Sequence, residues 1–169
     1  MKEYGPLTWK QKADNPSEWA GFTIHMMLYL LYLVSMTCLL RYDEALCITW
    51  ADVVFQVKDP QMQNHWIDAT PELFLNISKS RFKTEDFCIC LNLPFRKTHQ
   101  YGGIALFYLY AQPNRPWMCL LHAFALWWIL AQKQVHNLDD YVFREKIGTD
   151  GFSVNPTDAM TAEAFLECF

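Results

Sequence analysis

Charge is scarce in this sequence. Asp, Glu, Lys and Arg make up 19% of its 169 residues, against 52% apolar and 16% aromatic. Intrinsic disorder needs the opposite balance, so a disordered chain is excluded. With 6 glycines and 8 prolines there is neither collagen-like nor linker-like character. A positive excess is also missing: 14 basic against 18 acidic residues leave a net charge of −4. That excludes a generally basic nucleic-acid binder and leaves such a role to local patches. No P-loop and no GxGxxG occur, and Tyr101-Gly102-Gly103 reads as a turn. No GxSxG nucleophile elbow is present. No CxxC pair exists and no Cys/His cluster has zinc-ligand spacing, so neither a metal site nor a cofactor is expected.

The six cysteines, Cys38, Cys47, Cys88, Cys90, Cys119 and Cys168, sit inside apolar runs. They read as reduced, buried thiols of an intracellular protein. Cys88 and Cys90 are two apart in an alternating segment and share one face of a strand. In such a protein the sequon Asn76-Ile77-Ser78 carries no meaning.

The length suits one domain, able to bury roughly 70% of the unfolded chain's surface. Residues 1–18 form a polar arm with Pro6 and Pro16, and residues 19–169 form the domain. Gly21 to Leu40 holds 20 residues without a formal charge. This run is long enough to cross a bilayer, and Lys2, Lys10 and Lys12 precede it as in a signal anchor. His25, Ser35 and Thr37 within it, and Arg41, Asp43 and Glu44 just after it, favour the central helix of a globule. A membrane-anchored protein with its span at 21–40 is the alternative.

The pattern then predicts a second helical stretch from Arg41 to Trp50, extended chain from Ala51 to Val57, and a loop over 58–72. Three strands follow, Leu73–Ser78, Phe87–Phe95 and Ile104–Ala111. Charged turns link them at 79–86 and 96–103, and Gly102-Gly103 suits a hairpin. A helix over Trp117–Gln134, mixed loops over 135–158 and a last helix from Thr161 complete the chain. The fold class is α+β, mainly helical, with a small antiparallel three-stranded sheet. Met26-Met27, Trp127-Trp128 and Tyr141 read as packing residues.

Two constellations bear on chemistry. Arg41 ends the apolar helix with Glu44 three residues on, a spacing at which a carboxylate can hold a guanidinium for bidentate phosphate recognition. An ordinary surface ion pair fits the same two residues. The second constellation is basic: Lys79, Arg81, Lys83, Arg96 and Lys97, with His99, against Glu85 and Asp86. Two basic hairpin tips on one sheet edge can straddle a phosphate backbone. A solvated charged turn is the plainer reading.

Taken together, LLRYDEALCITWADVVF, LNLPFRKTHQYGGIALFYLY and PWMCLLHAFALWW resemble the first half of the catalytic domain of tyrosine recombinases, the phage-integrase family. They are similar in particular to the fungal Crypton type and to the recombinase-like subunit of the yeast centromere-binding complex. The resemblance spans Phe22 to Phe169. It implies double-stranded DNA as partner, possible homo-oligomers on DNA, a nuclear location and no cofactor. It also implies that Arg41 grips the scissile phosphate, that Glu44 orients Arg41, and that Lys97 protonates the leaving 5′-hydroxyl as general acid. Trp50 and Asp52 match positions that close the helix-to-strand corner. The family also needs a His-x-x-Arg pair and a later nucleophilic Tyr. No histidine here has Arg three residues on, and Phe165–Phe169 resembles the helix just upstream of that pair. A catalytically incomplete, C-terminally truncated domain is therefore expected, with a ligand-free structural remnant as a further alternative.

Overall fold

The computed structural model describes Asp14 and residues 21–62, 65–93, 106–131, 137–148, 150–155 and 157–167. Apart from Asp14 the predicted polar arm lies outside these residues, as do Arg96, Lys97, His99 and the glycine pair at the expected hairpin tip.

The uncharged run becomes helix α1, Phe22–Cys38. It is a core element. Ile24, Met27, Leu30, Leu31 and Val34 are fully or almost fully buried, and the helix packs on α4, Leu120–Ala131. No helix among the described residues is long and apolar enough to cross a membrane. α1 ends without glycine: Leu39 takes the left-handed conformation (φ 52°), and the Leu40 N–H donates to Ser35 O at 2.9 Å. This 6→1 bond is the closing bond of a Schellman-type end. Two short helices follow along the chain, α2 (Tyr42–Leu46) and α3 (Pro71–Leu75), and α5 (Ala162–Glu167) comes last.

The sheet has four strands rather than three, antiparallel throughout, in the order β2-β1-β3-β4. They are β1 (Val53–Lys58), β2 (Trp66–Asp68), β3 (Phe87–Leu91) and β4 (Phe107–Tyr110). β2 forms inside the expected loop because its backbone pairs with the edge of β1, Lys58 opposite Trp66. The predicted strand Leu73–Ser78 is instead α3 followed by a 3-10 turn, Ile77–Lys79. The reason is local: the Thr70 hydroxyl accepts from the Leu73 N–H at 3.2 Å, and Pro71 starts the first turn. Such capping chemistry outweighs a short apolar run.

One face of the sheet closes the core. Val53, Phe55 and Val57 of β1 and Phe87, Ile89 and Leu91 of β3 join α1 and α4 in a single apolar cluster. Phe74 of α3 meets Phe87 edge-to-face at 5.4 Å. The C-terminal third is stitched on by backbone bonds: Trp50 N–H to Asp140 O (3.0 Å) and Val142 N–H to Ile48 O (2.9 Å). A two-stranded hairpin, β5 (Lys146–Ile147) with β6 (Gly151–Phe152), follows, and Gly148 takes a positive φ between its strands.

Candidate nucleic-acid interface

Arg41 is the N-cap residue of α2 and is exposed. Glu44 is buried (7% exposed), and its carboxylate accepts the Arg41 backbone N–H at 3.1 Å. A guanidinium has no acceptor, so the capping is one-sided: Glu44 fixes the main chain of Arg41. Glu44 thus holds Arg41 through the backbone, where the sequence suggested a side-chain pair. Tyr42, the next residue, stacks on Phe165 of α5 at 5.8 Å, and Phe165 also meets Tyr32 of α1 at 5.8 Å. The Arg41 corner is therefore braced by three helices while its own side chain projects to solvent.

The corner then leads into the sheet. Trp50 is buried and meets Trp128 edge-on at 4.9 Å. Asp52 Oδ2 accepts from the Thr49 N–H (2.9 Å) and hydroxyl (2.8 Å), closing the 3-10 turn Trp50–Asp52 that starts β1. The backbone then ties this end of β1 to the exit of β3, with the Asn92 N–H donating to Asp52 O at 2.9 Å. The connection from β3 to β4, residues 92–106, leaves and returns at this end, and Leu91 pairs with Phe107. It carries Arg96, Lys97 and His99, which lie outside the described residues.

Lys79, Arg81 and Lys83 go elsewhere. All three are exposed, and their segment enters β3 at Phe87, the opposite end of the sheet. Four strand steps, about 14 Å, separate the two ends of β3. The expected pair of hairpin tips on one edge is therefore not formed: 79–86 links a helix to a strand, because Leu73–Ser78 is not a strand. Locally the Asp86 carboxylate accepts the Lys83 N–H at 2.8 Å, and the Arg81 guanidinium lies 5.4 Å from the Phe82 ring.

Other chemistry is sparse. Among the described residues no three of His, Cys, Asp and Glu gather where they could hold a metal ion. Cys38, Cys88, Cys90 and Cys119 are buried, whereas Cys47 is exposed, against expectation, because it follows α2 on the solvent side. Partial desolvation by the neighbouring protein atoms still pushes the Cys47 thiol up, and Asp43 adds to the effect. A cleft of about 330 Å³ opens between α3 and the start of α4, and none of the predicted site residues lines it.

Sequence reasoning missed two features. The first is a buried ion pair, Asp140 with Arg144 at 3.0 Å, whose guanidinium also donates to Ser153 O and lies 5.8 Å from the Phe152 ring. Its only signal was an Asp and an Arg four apart beside an apolar Val-Phe pair. The second is the aromatic outer face of the sheet, whose signal was the alternation of Tyr108 and Tyr110.

No family model, curated protein or solved structure matches the chain.

Proposed function

We propose that this chain is a DNA-binding domain of tyrosine-recombinase type that contacts duplex phosphates through Arg41 and the β3–β4 connection bearing Lys97. A side chain that grips a phosphate must be exposed and held on a rigid backbone. Arg41 meets both conditions, since buried Glu44 clamps its main chain and Tyr42 is stacked on α5. The observation that carries the reading is the Asp52–Asn92 backbone bond. It joins the corner after Arg41 and the start of the Lys97 connection at one end of the sheet. In this reading Arg41 neutralises phosphate charge and Lys97 is the proton donor of a strand-cleavage reaction. The sequence holds no His-x-x-Arg pair and Tyr141 is not assigned as nucleophile, so this polypeptide binds DNA without cutting it by itself. A nuclear location and assembly as a homo-oligomer on DNA belong to the same proposal.

A salt titration of duplex binding tests it. Affinity is expected to fall with salt, and Arg41→Ala and Lys97→Ala are each expected to weaken binding and reduce the log–log salt slope by about 1. Lys79→Ala is expected to have the smaller effect. Absent or salt-insensitive binding leaves only a structural remnant.

A further inference from the structure

The face of the sheet turned away from the core is aromatic. Tyr108 and Tyr110 of β4 stand opposite Cys90 and Cys88 of β3 and are 49% and 56% exposed. Trp66 lies on β2, the other edge of the sheet, yet its ring centroid is 5.9 Å from that of Tyr110. The two rings therefore reach toward each other across both central strands. This accounts for Cys88 being fully buried on the outer face.

Flat aromatic surfaces left in solvent on a sheet suit one ligand chemistry well: unpaired bases, which stack on them with little sequence preference. Tyr108 and Tyr110 are two residues apart on a strand, about 6.8 Å, close to the step between nucleotides of an extended single strand. The Lys58 ammonium lies 5.8 Å from the Trp66 ring. The segment with Lys79, Arg81 and Lys83 enters the sheet at the end where Trp66 and Tyr110 meet. Cations beside the rings supply phosphate contacts, whereas protein-binding patches are depleted in lysine. A duplex hides its base faces and cannot use such a surface.

We propose that the outer face of the sheet binds single-stranded DNA, with bases stacked on Tyr108, Tyr110 and Trp66 and phosphates neutralised by Lys58 and the basic residues at 79–83. This rests on the reading of the chain as a DNA binder and adds a second contact, distinct from Arg41. It suits a protein that holds a locally opened strand beside a duplex.

Fluorescence anisotropy on the full chain decides it, with labelled oligo-dT, oligo-rU and a mixed-sequence duplex as probes. Tyr108→Ala and Tyr110→Ala are each expected to weaken oligo-dT binding about tenfold and to leave duplex binding unchanged. Lys58→Ala is expected to reduce the oligo-dT salt slope by about 0.7. Tyr108→Leu and Tyr110→Leu keep apolar cover over the thiols while removing the rings, so they carry the test if the alanine variants unfold. The proposal is overturned if oligo-dT is not bound, if the tyrosine variants lose duplex and oligo-dT equally, or if oligo-rU binds more tightly than oligo-dT. It is equally overturned if the face proves to be a dimer contact, with self-association that the double tyrosine variant abolishes. Loss of duplex binding in Arg41→Ala, with oligo-dT binding unaffected by the tyrosine variants, removes this platform alone. Oligo-dT binding that needs the tyrosines, with duplex binding indifferent to Arg41, removes the phosphate-gripping reading instead.

Discussion

The Asp150 carboxylate caps helix α1 at Thr23, accepting the Thr23 N–H at 2.7 Å and the Ile24 N–H at 3.2 Å across more than 120 residues of sequence. The N-cap position itself is Gly21, which has no side chain to offer. The turn after β5 therefore supplies from the far end of the chain what the local sequence omits. It also ties that hairpin to the helix whose other end leads to Arg41.

Asp150→Ala is expected to lower stability by about 1–2 kcal/mol, the usual value of a lost cap, and Asp150→Asn by less. Urea unfolding at neutral pH measures both. A Cβ on Gly21 would collide with the Asp150 side chain, so Gly21→Ala must displace the cap. The double variant Gly21→Ala/Asp150→Ala is then expected to cost less than the sum of the singles, the signature of a shared contact. Additive losses would refute the coupling.

Leu39→Gly is expected to stabilise. Leu39 is 81% exposed and sits at φ 52°, where a branched side chain costs about 1–2 kcal/mol. Glycine removes that strain but loses more entropy on folding, about 0.5–1 kcal/mol. A net gain of about 0.5–1 kcal/mol should show as a higher unfolding midpoint, and a loss would mean that the corner needs the leucine.

The Asp140–Arg144 pair is buried on both sides, at 4% and 2% exposure. Removing one partner strands the other charge, so Asp140→Ala is expected to cost about 3–5 kcal/mol. Replacing both, as Asp140→Leu/Arg144→Met, is expected to recover much of that. Thermal unfolding of the three proteins separates a stranded charge from lost packing. If the double variant is as unstable as the single, packing is the cause.

Native thiol labelling is expected to reach Cys47 before Cys38, Cys88, Cys90 and Cys119, since only Cys47 of these five is exposed. Burial raises the Cys88 thiol from its ordinary 9.0 to about 11. The folded state thus keeps its proton where the unfolded state releases it. That contribution to stability is complete below pH 9 and is lost as the pH rises toward about 11. Urea midpoints across this range should fall more steeply for the wild type than for Cys88→Ala, and parallel curves would exclude Cys88 as the source.

Much of the framework was legible in the residues. The apolar run from Gly21 to Leu40 marks a central helix because too few polar residues interrupt it for a surface position. Alternation in Phe87-Cys88-Ile89-Cys90-Leu91 marks a strand with both cysteines on one face, as the structure has them. Leu73–Ser78 misled because a short apolar run fits strand or helix, and the Thr70-Pro71 start that decides it lies outside the run. For the candidate site, residue types and spacing singled out Arg41 and Glu44. They did not tell that Glu44 holds the backbone rather than the guanidinium.

Composition and local pattern therefore determined what depends on neighbours in sequence: the buried helix, the strands β3 and β4, the cap-bearing turns and the exposed basic positions. Only the tertiary structure decided which of these meet. It put Asp150 on the start of α1, joined Asp52 to Asn92 at one end of the sheet and sent Lys79, Arg81 and Lys83 to the other. It also brought Trp66 and Tyr110 together across two strands. Those outcomes rest on strand order and register. Both are set by pairing between segments far apart in the chain, and the spacing of residues along it does not encode them.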